Sequence, residues 1–157
     1  MSTLLYEGAL FADYFQLYLR DEDHPGLPED YTDVAVARRL MVAPYAAILH
    51  TARNMDVPLR VEWHERPPAR DVDAWQHVAE AHFACPSGRL VLAGLSDFEP
   101  DAPRLPVTAG PLGLRASFAG LDTLSEDGLD GDDRYRIQLW PEVGPQDVQL
   151  LKAWPAA

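Results

Sequence analysis

With 157 residues, 47% of them hydrophobic, the chain fits a single domain with an ordinary core. Its one cysteine, Cys85, excludes an internal disulfide framework, and a formal charge of −12 disfavours nucleic acid or an anionic membrane as partner. No apolar run approaches the roughly 18 residues of a membrane span, and Met1–Ala12 lacks a basic start, so the expected location is cytoplasmic.

Fourteen prolines punctuate the chain, each removing a backbone donor and fixing φ. The widest proline-free window, Leu112–Trp140, is itself broken by Gly113, Gly120, Gly128 and Gly131. A helix bundle is excluded on these grounds. In chain order, Gly8–Arg20 alternates as a strand, with Phe11, Phe15, Leu17 and Leu19 on one face. Leu10, Tyr14, Gln16 and Tyr18 occupy the other, and aromatic residues on both faces predict a central strand or one that meets a partner. Asp21–Asp30, with Pro25, Gly26 and Pro28, reads as a loop. Thr32 or Asp33 can cap a helix over Val34–Met41, the main helix expected, closed by Pro44.

Strands follow in series: Tyr45–Arg53, Val57–Trp63 and Trp75–Ala84, the last of which could also hold a short helix over Asp73–Phe83. The turn Pro86-Ser87-Gly88 leads into Leu90–Leu95, so these two neighbours could pair as a hairpin. Leu112–Phe118, Tyr135–Trp140 and Val148–Trp154 complete the set. Seven or eight short strands and one short helix describe a single-domain, mainly antiparallel β-sandwich.

Motifs for catalysis are missing from the sequence. It contains no G-x-S-x-G elbow, no phosphate-binding glycine loop and no H-E-x-x-H. Cys85 beside Pro86 reads as a buried structural thiol. Glu80 and His82 share a strand face, with His64 or His77 as a third metal ligand from elsewhere, but exposed polar alternation gives the same pattern. The stretch Asp122–Asp133 fails the calcium-loop register, since Leu124 stands at the third position and no glycine at the sixth. No enzyme activity and no cofactor are assigned.

Charge placement is more informative. Asp21, Glu22, Asp23, Glu29, Asp30 and Asp33 form one block without Lys or Arg, and Asp122, Glu126, Asp127, Asp130, Asp132 and Asp133 form a second. Setting these twelve aside leaves 13 acids against 13 bases, so the two blocks carry the whole net charge. Such blocks attract a basic partner. Tyr14 and Tyr31 flank the first block and are candidate anchors, tyrosine being enriched in binding sites. The second block contains Gly128 and Gly131 and no aromatic, and is expected to be the looser.

Asp13-Tyr14-Phe15-Gln16-Leu17, Asp21, Pro28, Tyr31-Thr32-Asp33, Ala46-Ala47-Ile48 and Ala52-Arg53-Asn54 resemble the ComJ-like family of DNA-entry nuclease inhibitors. Pro106–Leu114 and Tyr135–Leu139 resemble that family's later strands more loosely. The resemblance implies a β-sandwich that binds a competence nuclease and blocks it. The resulting expectation is an acidic inhibitor or immunity-type protein whose partner, a basic protein, meets Tyr14, Tyr31 and the twelve block acids. The alternative is a β-sandwich that holds calcium or a small ligand without enzymatic activity.

Overall fold

A computed structural model describes residues 2–156. The chain forms β1 (Ser2–Phe11), β2 (Gln16–Asp21), a short helix α1 (Asp33–Ala37), β3 (Leu40–Ala43), β4 (Ala46–His50) and β5 (Asp56–His64). It continues through β6 (His77–Cys85), β7 (Arg89–Gly94), β8 (Arg104–Pro106), β9 (Gly110–Ala119), β10 (Arg134–Pro141) and β11 (Gln149–Lys152). Six strands make one sheet in the order β1-β5-β10-β9-β6-β11, and five make the other in the order β3-β4-β2-β7-β8. Among the described residues only β5 and β10 run parallel; the other paired neighbours are antiparallel. The expected sandwich is therefore found, with eleven strands because short edge pieces such as β3 and β8 add to the longer ones.

Alternation puts one face of each strand into the space between the sheets. On β5, Val57, Leu59 and Val61 are buried there while Asp56, Pro58 and Arg60 are exposed. Leu17 and Leu19 of β2 enter the same core. Tyr18 points the other way and joins Met41, Ile48, Val91 and Ala93 in a second cluster, covered by Leu27 from the acidic loop. That second cluster explains the apolar character of both faces of β2. It is a central strand, between β4 and β7.

Three local expectations are corrected, and one alternative is closed. Gly8–Arg20 is two strands in different sheets, because the chain turns at Ala12–Phe15, where Tyr14 and Phe15 take φ of 56° and 62°. The amide of Ala12 donates to Met55 O, and that of Phe15 to Ala12 O, which closes the turn. The helix ends at Ala37: Thr32 Oγ1 caps it by accepting from Ala35 N (3.1 Å), and Arg39 at φ 60° stops it. Leu40 and Met41 then pair with Leu49 and Ile48. The strand expected over Trp75–Ala84 is found as β6, and the alternative helix over Asp73–Phe83 is not: a 3-10 turn (Val72–Ala74) precedes the strand. Finally, β6 and β7 do not form a hairpin, since Pro86–Gly88 carries the chain from one sheet to the other.

The outer face of the six-stranded sheet is polar and lies under the β5–β6 connection. Arg115, only 2% exposed, donates to Glu80 (2.6 Å), Gln138, Pro68 O and Ala69 O. Glu80 also receives Arg70, and His82 contacts Glu142 at 2.7 Å. The two strand residues weighed as metal ligands are thus committed to different protein partners.

Candidate partner interface at one end of the sandwich

Strand β2 separates the two ends of the molecule, and the first acidic block starts at its far end. Asp21 is fully buried. Its carboxylate accepts from Ser87 N (2.9 Å), Ser87 Oγ (2.6 Å), Cys85 Sγ (3.2 Å) and Asp23 N (3.1 Å), and His24 Nδ1 lies at 2.6 Å. Burial pushes this carboxyl upward, but the hydrogen bonds from Ser87, His24 and Cys85 outweigh it and hold the group well below the usual carboxylate range. The Cys85 thiol, pushed up to about 12 by burial and then by Asp21, is no nucleophile at neutral pH. Glu22 is ion-paired with Arg89 and Arg104, and Asp23 is exposed.

Asp21 is accordingly removed from the candidate interface, and so is Asp133. The latter is 1% exposed and accepts from Arg53 Nε (2.6 Å) and from the Tyr135 hydroxyl. Composition alone counts both as surface charge, since it does not reveal which carboxylates are bound internally. Asp23, Glu29, Asp30, Asp33, Asp122, Glu126, Asp127, Asp130 and Asp132 are exposed.

The near end of β2 gathers the aromatic candidates. Tyr14 is 70% exposed, Phe15 48% and Tyr31 47%. Two consecutive non-glycine residues at positive φ cost about 1–3 kcal/mol each, so the rest of the fold must hold this turn in place. Gly94 contributes to that restraint: a Cβ there would lie 2.1 Å from Phe11 O. Tyr31 donates from its hydroxyl to Gln16 Oε1 (3.1 Å), and its ring meets His50 edge-on at 5.9 Å. Phe15, which the alternation sets on one strand face with Phe11, Leu17 and Leu19, joins the interface candidates. The positive-φ turn moves it out of register, and no residue type in Asp13–Gln16 signals this.

A line of hydrogen bonds extends this end to the second acidic block. Thr51 N donates to Phe15 O (2.8 Å), Ala52 N to the Tyr135 hydroxyl (2.8 Å), and Arg53 Nη1 to Leu129 O (3.3 Å). The loop carrying Asp122–Asp132 is itself cross-braced. Ser125 N donates to Asp130 O (2.7 Å), Asp130 N to Ser125 Oγ (2.9 Å), and Asp132 N to Thr123 Oγ1 (2.8 Å). Gly120 holds φ of 70° where a Cβ would approach Asp132 O to 2.2 Å. This block presents its carboxylates from a hydrogen-bonded scaffold. Among the described residues no group of three or more His, Cys, Asp or Glu could hold a metal ion. Replacing Arg53 with alanine is expected to free the loop, raising amide hydrogen exchange over 121–132 at least tenfold. An unchanged exchange pattern would contradict the bracing role of Arg53.

His50 beneath Tyr31 gives this end a pH response. Burial, followed by the charge of Arg39, lowers its pKa to about 4. His77, also buried, is lowered by burial too; Arg38 O lies 2.7 Å from its Nε2 and Trp154 N donates to its Nδ1. That pair of contacts fits the neutral ring with Nε2–H. A base with a depressed folded pKa binds its proton more readily when unfolded, so stability is complete above the unfolded value and falls with pH. Urea midpoints should drop between about pH 6.5 and 4, by the equivalent of about 2–3 kcal/mol, and His50→Gln should flatten much of that slope.

No protein family and no curated protein matches the sequence. Two solved structures match in three dimensions. One is ComJ from Bacillus subtilis, described as an inhibitor of the DNA degrading activity of NucA. It superposes with a TM-score of 0.67 at 15% identity, over 90% of this chain and 99% of that one. The chain has the ComJ fold. The protein of crocagin biosynthetic gene J shares it, with a TM-score of 0.62 and 18% identity over 91% of this chain and 99% of its own. Both are similarities of fold, and the first is to an inhibitor protein. Within this ComJ-like sandwich, several segments that carry the sequence resemblance meet at the near end. Asp13–Leu17 makes the turn and the start of β2, Tyr31–Asp33 adjoins it, and Ala52–Asn54 joins it to the acidic loop. No helix among the described residues is long and apolar enough to cross a membrane.

Proposed function

We propose that the chain is an acidic inhibitor that binds a nuclease through the near end of its sandwich. The observation that carries this reading is the convergence there of Tyr14, Phe15 and Tyr31 with the braced carboxylates of Asp122–Asp132, on a fold shared with a nuclease inhibitor. A nuclease cleft must attract phosphate and therefore presents cations. Carboxylates held on a scaffold can take the place of the phosphates, and they lose little side-chain freedom in doing so. The aromatic rings supply the apolar contact that charge alone does not. Glu29, Asp30 and Asp33 extend the negative field around the same end and raise the encounter rate, while Asp23 lies at the opposite end and adds little. Glu22, already paired with two arginines, adds less still.

Calorimetry with a NucA-type nuclease from the same genome tests the reading. Stoichiometric binding is expected, weakening steadily as salt rises, with no heat on titration of duplex DNA alone. Binding indifferent to salt, or tight binding to DNA, would overturn it.

A further inference from the structure

The outer face of the six-stranded sheet carries a cavity of about 600 Å³, separate from the aromatic residues of the near end. Strand alternation builds it. Leu59 and Val61 of β5, with Tyr135 and Ile137 of β10, belong to the core, so the residues between them face outward. Pairing sets Glu7, Arg60 and Arg136 in one outward row across β1, β5 and β10. The same register puts Arg134 beside Pro58 and Ala9 in the next row. Ala9 and Pro58, both exposed, make a flat apolar floor, and Trp75, just ahead of β6, stands as a wall.

The charges lining this cavity do not all cancel. Arg60 is taken up by Glu62 (2.7 Å) and Glu7 (2.5 Å), and Arg136 by the two oxygens of Asp71 (2.9 and 2.6 Å). Arg134 is exposed, and among the described residues its side chain has neither a hydrogen bond nor an ion pair. It lies instead over the Trp75 ring, 4.5 Å from the centroid, with Arg136 at 4.6 Å. The negative face of an indole attracts a guanidinium while leaving its N–H donors unused. Arg134 is thus positioned with its donors free, in a chain that has 25 acids to 13 bases. Two further donors on the same wall are idle. Trp75 is only 7% exposed and its indole N–H has no partner, and neither has the buried Nε of Arg136. Buried donors are seldom left unpaired, and an acceptor held against this wall would relieve them.

We propose that this cavity binds a small ligand with a flat aromatic body and an oxyanion head, a carboxylate or a phosphate monoester. The planar fork of Arg134 matches either oxyanion with two parallel N–H bonds. The body lies on Ala9 and Pro58, in a space that falls within the roughly 300–1,000 Å³ of ordinary ligand sites. The proposal does not rest on nuclease binding, since Tyr14, Phe15 and Tyr31 are not among the lining residues.

NMR of the chain, titrated separately with 2-naphthoate and 2-naphthyl phosphate, tests the site. Saturable shifts are expected for the Trp75 indole N–H and the amides of Ala9 and Arg134–Arg136, with Kd about 1 mM or lower. The amides of β3 and β4, in the other sheet, should stay still. The uncharged 2-naphthol should bind at least tenfold more weakly, and so should 2-naphthoate to Arg134→Gln, which removes the charge at an exposed position. Ala9→Phe, which fills the floor and leaves Arg134 in place, should abolish the shifts. Tighter binding of the phosphate ester names a phosphate as the head group and tighter binding of naphthoate a carboxylate, and either supports the site. Equal affinity for naphthol and naphthoate, an Arg134→Gln variant that binds as well as wild type, shifts centred outside the cavity, or none at millimolar probe would overturn it.

Discussion

Replacing Tyr14 and Tyr31 together with alanine is expected to weaken the nuclease complex about a thousandfold while leaving the fold intact. Tyr14 is 70% exposed and Tyr31 47%, and neither belongs to a core cluster, so their removal costs the free protein little. In a complex, a buried aromatic anchor is worth about 2 kcal/mol or more, and two of them about 4, which is close to three decades in Kd. Asp23→Asn, at the opposite end of β2, should change Kd less than twofold. Phe15→Ala should fall between the two, because it removes one ring where the double variant removes two. Surface plasmon resonance on the three variants at one salt concentration decides the matter, and equal small losses for all would remove the near end as the contact.

The second large effect is on stability. Asp21→Ala should cost about 3–5 kcal/mol, because it strips acceptors from Ser87 N, Ser87 Oγ, Cys85 and Asp23 N where no water replaces them. In a chain of this length that is a fall in Tm of roughly 10 °C. The Asp21 carboxyl has a folded pKa below its unfolded one, so its contribution is complete above about pH 4 and is lost as the pH falls further. Glu99 behaves alike: hydrogen bonding from Arg20 exceeds the effect of burial and brings it to about 2. Acid unfolding should therefore proceed in two stages, the histidines first and these two carboxylates below them. Scanning calorimetry of Asp21→Ala checks the claim, and an unchanged Tm would show that the Ser87 turn holds β6 to β7 without it.

Sequence made the sandwich legible wherever one face of a strand stays apolar, as on Val57–Trp63, and aromatic residues on both faces of Gly8–Arg20 implied a central strand or a partner-facing one, the first of which holds for β2. It misread the places where a pattern continues through a change of backbone. Tyr14 and Phe15 keep the period of two while the chain leaves one sheet for the other. Val36 and Leu40 keep helical spacing although Arg39 has already ended the helix. The acids show the same boundary between composition and structure. Counting located the net charge correctly, but Asp21 is buried by Ser87 and Asp133 by Arg53, partners far away in sequence that no local window connects. Of the segments that carry the resemblance, Asp13–Leu17, Tyr31–Asp33 and Ala52–Asn54 are neighbours at one end of the sandwich, whereas Asp21 and Ala46 lie at the other end of β2.

The central claim is most directly tested by following degradation of linear duplex DNA by a NucA-type nuclease as the chain is titrated in. The account predicts inhibition that saturates at stoichiometric chain, is retained in Asp23→Asn and is lost in Tyr14→Ala with Tyr31→Ala. Degradation undiminished by a large excess of wild-type chain, or inhibition that survives the double substitution, would contradict it.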